Sequence, residues 1–155
     1  MDDAADRRGG PVGFDLDLTL IDSRPGILAA WEHVARDTGV AVDLAAVDTR
    51  LGLKLEDEAA YWFAPSEIDL AVEGYRRHYL RLAPALTTAL PGAAAALAAV
   101  AGAGAAAVII TAKHPVSVGP SLAAAGLPAV PVHAHVHGPE KAAVLERLRA
   151  TVYVG

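Results

Sequence analysis

From Pro91 to its last residue the chain alternates between helical and strand-like segments, and this rhythm restricts the fold more than any other feature. The pattern predicts helices over 92–101, 116–125 and 139–149, and strands over 106–111, 129–134 and 151–154. Strands that alternate with helices of about 10–15 residues pair in parallel through crossover helices. An earlier apolar run, Pro11–Phe14, ends abruptly in polar residues and supplies one more strand. Between that strand and Pro91 the apolar spacing is helical throughout: Leu51, Leu55, Ala59, Trp62, then Ile68, Val72, Tyr75, Tyr79. Asp22-Ser23 offers N-cap chemistry for the first of these helices, Pro25 lies in its first turn and Gly39 stops it. The expected architecture is α/β, with a Rossmann-like parallel sheet built from 11–22 and 87–155. A helical insertion over 23–86 interrupts this sheet, and a flexible polar tail over 1–10 precedes it.

Composition removes several classes of function. There is no cysteine, which excludes disulfide scaffolds, thiol nucleophiles and cysteine-based zinc sites. The formal charge of −5 argues against a partner that presents a phosphate backbone, so no nucleic acid is expected. At 54% hydrophobic residues the chain can build a core and is not a disordered one. Leu82–Ala112 carries no charge, yet alanine, glycine and two prolines dominate it, so it reads as a helix followed by a strand and no membrane association is expected. The polar opening MDDAADRRGG lacks the apolar stretch of a signal peptide, which makes the cytoplasm the expected location.

Ligands of open parallel sheets bind beyond the carboxyl ends of the strands, so those positions are where chemistry is to be sought. The first strand delivers Asp15 and Asp17, whose i,i+2 spacing sends both side chains to one face of an extended chain. Two adjacent carboxylates beside Thr19 suit a nucleophile and a general acid–base around one magnesium ion. The strand Val108–Ile110 delivers Thr111, a hydroxyl donor for a phosphoryl oxygen, followed by Ala112. Lys141, after Gly138-Pro139, brings an ammonium able to neutralise a phosphate together with a carboxylate. Lys113 and His114 follow Thr111 closely enough to line the mouth of the site.

These segments resemble the haloacid dehalogenase-like (HAD) superfamily along nearly the whole chain. Phe14-Asp15-Leu16-Asp17-Leu18-Thr19 resembles its first motif, DxDxT. Ile110-Thr111-Ala112-Lys113 resembles the second, Lys141 the third, and 23–86 occupies the place of a type-1 helical cap. The nearest similarity is to phosphoglycolate phosphatase-like members. The resemblance implies a Mg2+-dependent phosphatase that hydrolyses a small phosphorylated metabolite through an aspartyl-phosphate formed on Asp15. It implies that Asp17 protonates the leaving group and then activates water, while Thr111 and Lys141 hold the phosphoryl group. Magnesium would take a carboxylate oxygen of Asp15 and the backbone carbonyl of Asp17.

Two departures accompany the resemblance. The family commonly has glycine after its second aspartate, where this chain has Leu18, a position outside the chemistry. Its fourth motif places acidic residues right after a hydrophobic strand, and Gly155 stands at the threshold of that motif, so the core is expected to be truncated there. The alternative function is therefore a truncated or degenerate HAD domain, a non-enzymatic fragment or binding module. In the insertion, Arg50, Gly52 and Lys54 form a glycine-containing basic loop suited to a second anionic group of the substrate. Arg24, at the expected hinge, is a further substrate contact. His133, His135 and His137 alternate, which on an extended segment would send all three rings to one side. Gly102–Ala107 matches G-x-G-x-x-A in letters only, since it ends a helix instead of opening one.

Overall fold

The computed structural model describes residues 10–155, so the expected tail lies, apart from Gly10, outside the described residues. In chain order the elements begin with β1 (Val12–Phe14), β2 (Ile21–Asp22), α1 (Arg24–Thr38), α2 (Leu44–Thr49) and α3 (Leu55–Ala59). There follow α4 (Ile68–Leu86), β3 (Thr88–Ala89), α5 (Ala93–Gly102), β4 (Ala107–Ile110) and α6 (Pro115–Ala124). The chain finishes with β5 (Val132–His133), α7 (Glu140–Leu148) and β6 (Val152–Val154). These elements form two compact units, one ending at Asp22 and resuming at Thr88, the other spanning Ser23–Thr87.

The first unit is a four-stranded sheet in the order β5-β4-β1-β6. All its strands are parallel, with Phe14 opposite both Ile109 and Val154, and Ile110 opposite His133. The central strands explain themselves: Ala107–Ile110 is apolar without interruption, as a strand covered on both faces must be, and Ile109 and Ile110 are wholly buried. Leu97 from α5, with Val118 and Leu122 from α6, packs with Phe14, Leu16 and Ile109 into one core. A separate antiparallel ribbon pairs Ile21 with Ala89 and Asp22 with Thr88, at the points where the chain leaves and re-enters this unit.

The second unit is helical. Trp31 and Val34 of α1 and Ala71 and Val72 of α4 share a core with Val47, Ala59 and Phe63. Gly39 ends α1 in the left-handed region at φ 72°, a conformation that only glycine adopts without cost. Asp43 caps α2, its carboxylate accepting from the amides of Ala45 at 3.0 Å and Ala46 at 3.2 Å. Glu58 is buried and receives two bonds from Arg50, at 2.9 and 2.7 Å, and a third from the Trp62 indole at 2.9 Å. A carboxylate taken out of water needs this degree of compensation. At the C-terminal end of α1 the Asp37 carboxyl lies below its ordinary range. The hydrogen bond to His78 is the main cause, burial opposes it, and the charges of His78, Arg77 and His33 add to it.

Three expectations need correction. The strand expected over 129–134 shrinks to Val132–His133. Pro131, inside the expected span, has no amide hydrogen to give a ladder, although its carbonyl still accepts from the amide of Ile109 at 2.9 Å. Past that strand His135 is left-handed at φ 59°, so the three histidines do not alternate along an extended segment. Ser23 does not cap α1 through its side chain: it is itself helical, at φ −98° and ψ −5°, whereas a capping side chain needs an extended backbone. Its buried hydroxyl oxygen has no hydrogen-bond partner among the described residues.

Candidate active site

β1 ends at Phe14, and the next residue leaves the sheet while staying tied to it: the Asp15 amide donates to the Val154 carbonyl at 2.8 Å. The chain then turns back on itself. The amides of Leu20 and Ile21 both donate to the Leu16 carbonyl, at 2.9 and 3.1 Å, and the Thr19 amide does so at 3.3 Å. Leu18 pays for this turn with a left-handed backbone at φ 61°. The turn after Asp17 needs positive φ, which glycine would adopt without cost. Leucine there bears a strain of about 1–2 kcal/mol. A β-branched side chain of equal size tolerates that region less well. Leu18→Ile is therefore expected to cost about 1 kcal/mol further, read as a lower urea midpoint at unchanged slope.

The carboxylates meet two ammonium groups. Asp15 Oδ1 accepts the Leu16 amide at 2.8 Å and lies 3.0 Å from Lys141 Nζ. Asp17 Oδ1 accepts from Lys113 Nζ at 2.7 Å. Lys141 stands in the first turn of α7 and also donates to the Tyr153 hydroxyl of β6 at 3.2 Å. Burial alone would lower the affinity of this amine for its proton; the hydrogen bonds to Tyr153 and Asp15 outweigh it, so its pKa lies above the ordinary lysine value. Thr111 is buried at the end of β4, next to β1 in the sheet, and its Oγ1 accepts the Lys113 amide at 3.1 Å. A Cβ on Gly155 would lie 3.2 Å from that of Asp15 and 2.9 Å from the Tyr153 ring, so a larger residue there would have to displace the ring.

The first unit thus joins Asp15 to Lys141, and Asp17 to Lys113, whose amide is bound by Thr111, from three segments far apart along the chain. Thr19 lies in the turn after Asp17 and Ala112 in the bend after Thr111, both half-buried. The remaining candidates belong to the helical unit. Arg24 pairs with Asp48 at 3.0 Å, and Arg50 is held by Glu58 with its guanidinium 4.2 Å from the Tyr61 ring centre. Gly52 is left-handed at φ 103° in open space, and Lys54 is exposed just before α3. Two residues of the site lie outside the sequence candidates: Lys113, expected only at the mouth, and Tyr153. The one available signal for Lys113 was its i,i+2 spacing from Thr111.

Charged groups collected beyond the carboxyl ends of parallel strands mark the ligand-binding edge of an α/β protein. The chain belongs to the haloacid dehalogenase-like hydrolase family, whose model matches residues 12–153. Solved structures share the fold at low identity. A haloacid dehalogenase-like family hydrolase from Streptococcus pneumoniae superposes with a TM-score of 0.72 at 19% identity, covering 94% of this chain and 73% of its own. A protein from Haemophilus somnus described as a predicted phosphoglycolate phosphatase gives 0.75 at 16% identity, covering 92% and 72%. A HAD family hydrolase from Deinococcus radiodurans, with bound phosphate and sodium, gives 0.60 at 23% identity, covering 94% and 69%. No protein in the curated set matches the sequence significantly. Among the described residues, no helix is long and apolar enough to cross a membrane.

Proposed function

We propose that this hydrolase is a Mg2+-dependent phosphatase that acts on a small phosphorylated metabolite through an aspartyl-phosphate. The observation that carries the reading is the 3.0 Å contact between Asp15 Oδ1 and Lys141 Nζ, with Thr111 at the end of the neighbouring strand. A carboxylate beside a fixed cation is protected from the repulsion that an incoming phosphate dianion would otherwise exert on it.

The donor set suits magnesium, a hard cation that takes one or two carboxylates and keeps several waters. Each lysine engages Oδ1 of its aspartate, which leaves Asp15 Oδ2 and the Asp17 carbonyl as candidate ligands, with Asp17 Oδ2 kept for proton transfer. When bound, the ion supplies charge neutralisation at the transferred phosphoryl group. The chain's own residues do the rest. An Asp15 oxygen attacks phosphorus, the bond to the leaving oxygen breaks with its electron pair, and Asp17 gives that oxygen a proton. Asp17, now a carboxylate, takes a proton from the water that attacks the aspartyl-phosphate, which releases phosphate and restores Asp15. Thr111 and Lys141 hold the phosphoryl oxygens. The helical unit acts as the cap that selects the leaving group. There Lys54 offers an exposed ammonium, whereas Arg24 and Arg50 would have to exchange a carboxylate partner for a substrate anion.

A panel of phosphomonoesters assayed for phosphate release with and without magnesium tests this. Turnover of at least one ester is expected, falling by about 100-fold or more when EDTA removes the metal. Absence of release from every ester in saturating magnesium would overturn the reading.

A further inference from the structure

Two lysines serve the carboxylate pair, and their surroundings differ. Lys141 has 19% of its side chain exposed, shares its ammonium with Tyr153 and sits beside the attacking group. Lys113 has only 6% exposed, and its Nζ donates to Asp17 Oδ1 at 2.7 Å. Its main chain is fastened on both sides, the amide to Thr111 Oγ1 at 3.1 Å and the carbonyl to the His135 amide at 3.0 Å. A lysine enclosed in this way is poorly placed to meet an arriving phosphoryl group and well placed to hold a neighbour still. Its ammonium is donor-only, so the oxygen it grips cannot offer a hydrogen toward it.

We propose that Lys113 is a positioning residue, which by gripping Oδ1 of Asp17 presents Oδ2 as the oxygen that hands a proton to the departing group. The inference rests on the phosphatase reading and deepens it. As Asp15 Oδ bonds to phosphorus, the P–O bond to the leaving group breaks, its electron pair stays on the leaving oxygen, and the proton on Asp17 Oδ2 moves there. Asp17 remains as the carboxylate and the alcohol departs neutral. Without the grip the carboxyl group samples other rotamers, and displacement of about 1 Å is enough to cost about 100-fold in such a transfer.

The test compares Lys113→Met with wild type on two substrates in saturating magnesium, an alkyl phosphate and p-nitrophenyl phosphate, by kcat/KM. That ratio covers the steps up to leaving-group departure, and the nitrophenolate ion departs without needing a proton. The expected result is a loss of about 10–100-fold on the alkyl ester and less than about 3-fold on the aryl ester. Equal losses on both would overturn the proposal and mark Lys113 as structural or as a phosphate ligand. If Lys113→Met does not fold because it orphans Asp17, the Asp17→Asn background removes that charge. There K113M is expected to change the rate of the single-turnover nitrophenolate burst, which precedes the step that needs Asp17 as a base, by less than about 3-fold relative to D17N alone, since the group it positions is gone. A larger further loss would overturn the proposal. Wild-type protein inactive on these two esters and on every other ester of the panel would sink the phosphatase reading itself, and the assignment of Lys113 with it.

Discussion

Replacing Asp15 with asparagine is expected to abolish phosphate release, by a factor of about 10⁴ or more, because the amide cannot form the acyl-phosphate bond. The change is nearly isosteric. An amide oxygen can still accept the Leu16 amide that now bonds Oδ1 at 2.8 Å, so the turn after β1 should survive and the loss should lie in chemistry. Two measurements separate these. The thermal midpoint of Asp15→Asn should stay near that of wild type. Acid quenching during turnover should trap a phosphorylated protein for wild type, visible by mass, and none for the variant. Turnover retained by D15N would refute the nucleophile assignment while leaving the fold untouched.

Lys141→Met comes next in expected size. The ammonium serves Asp15 Oδ1 at 3.0 Å and the Tyr153 hydroxyl at 3.2 Å, and these bonds outweigh burial and raise its pKa above that of an ordinary lysine. Methionine keeps the length and the apolar stem but removes the charge. Asp15 is then left to repel the phosphate dianion that it must approach. A loss of about 10²–10³-fold in kcat/KM is expected, the range found when a preorganised electrostatic group is deleted. Tyr153→Phe is the informative control. It leaves the ring in place and removes only the hydroxyl, so a loss under about 10-fold is expected if Tyr153 acts by steadying the lysine. Lys141→Met with more than a tenth of wild-type efficiency would remove the lysine from the proposed chemistry.

What could be read from the sequence follows a physical pattern. Apolar periodicity reports burial, so β4, with four apolar residues in succession, and α1, stopped by Gly39, are legible within a residue or two. The strand ends are legible for the same reason: each abrupt change from apolar to polar marks where a buried strand surfaces, and Asp15, Asp17 and Thr111 stand at such changes. Side-chain reach is another matter. Nothing local to Lys113 says that its ammonium closes on Asp17, and nothing near Glu58 says that it will be buried by Arg50 and Trp62. Both outcomes depend on distances set by the whole fold. Backbone strain is hidden in a different way. Leucine at position 18 carries no signature of positive φ, because the turn imposes that conformation against the residue's own preference. Before β5 the apolar content of 129–134 suggests a longer strand, but Pro131 has no amide hydrogen to extend the ladder.

The narrow ribbon that joins Asp22 to Thr88 carries an implication for how such chains diversify. Because those two backbones are already neighbours, whatever is threaded between them begins and ends at the same doorway. A longer, shorter or unrelated insert would spare the sheet from stretching, since closing a loop whose ends already touch depends only weakly on its length. If the helical unit selects the leaving group as proposed, the apparatus around Asp15 can in this way be inherited intact while selectivity is rewritten wholesale, one module exchanged for another.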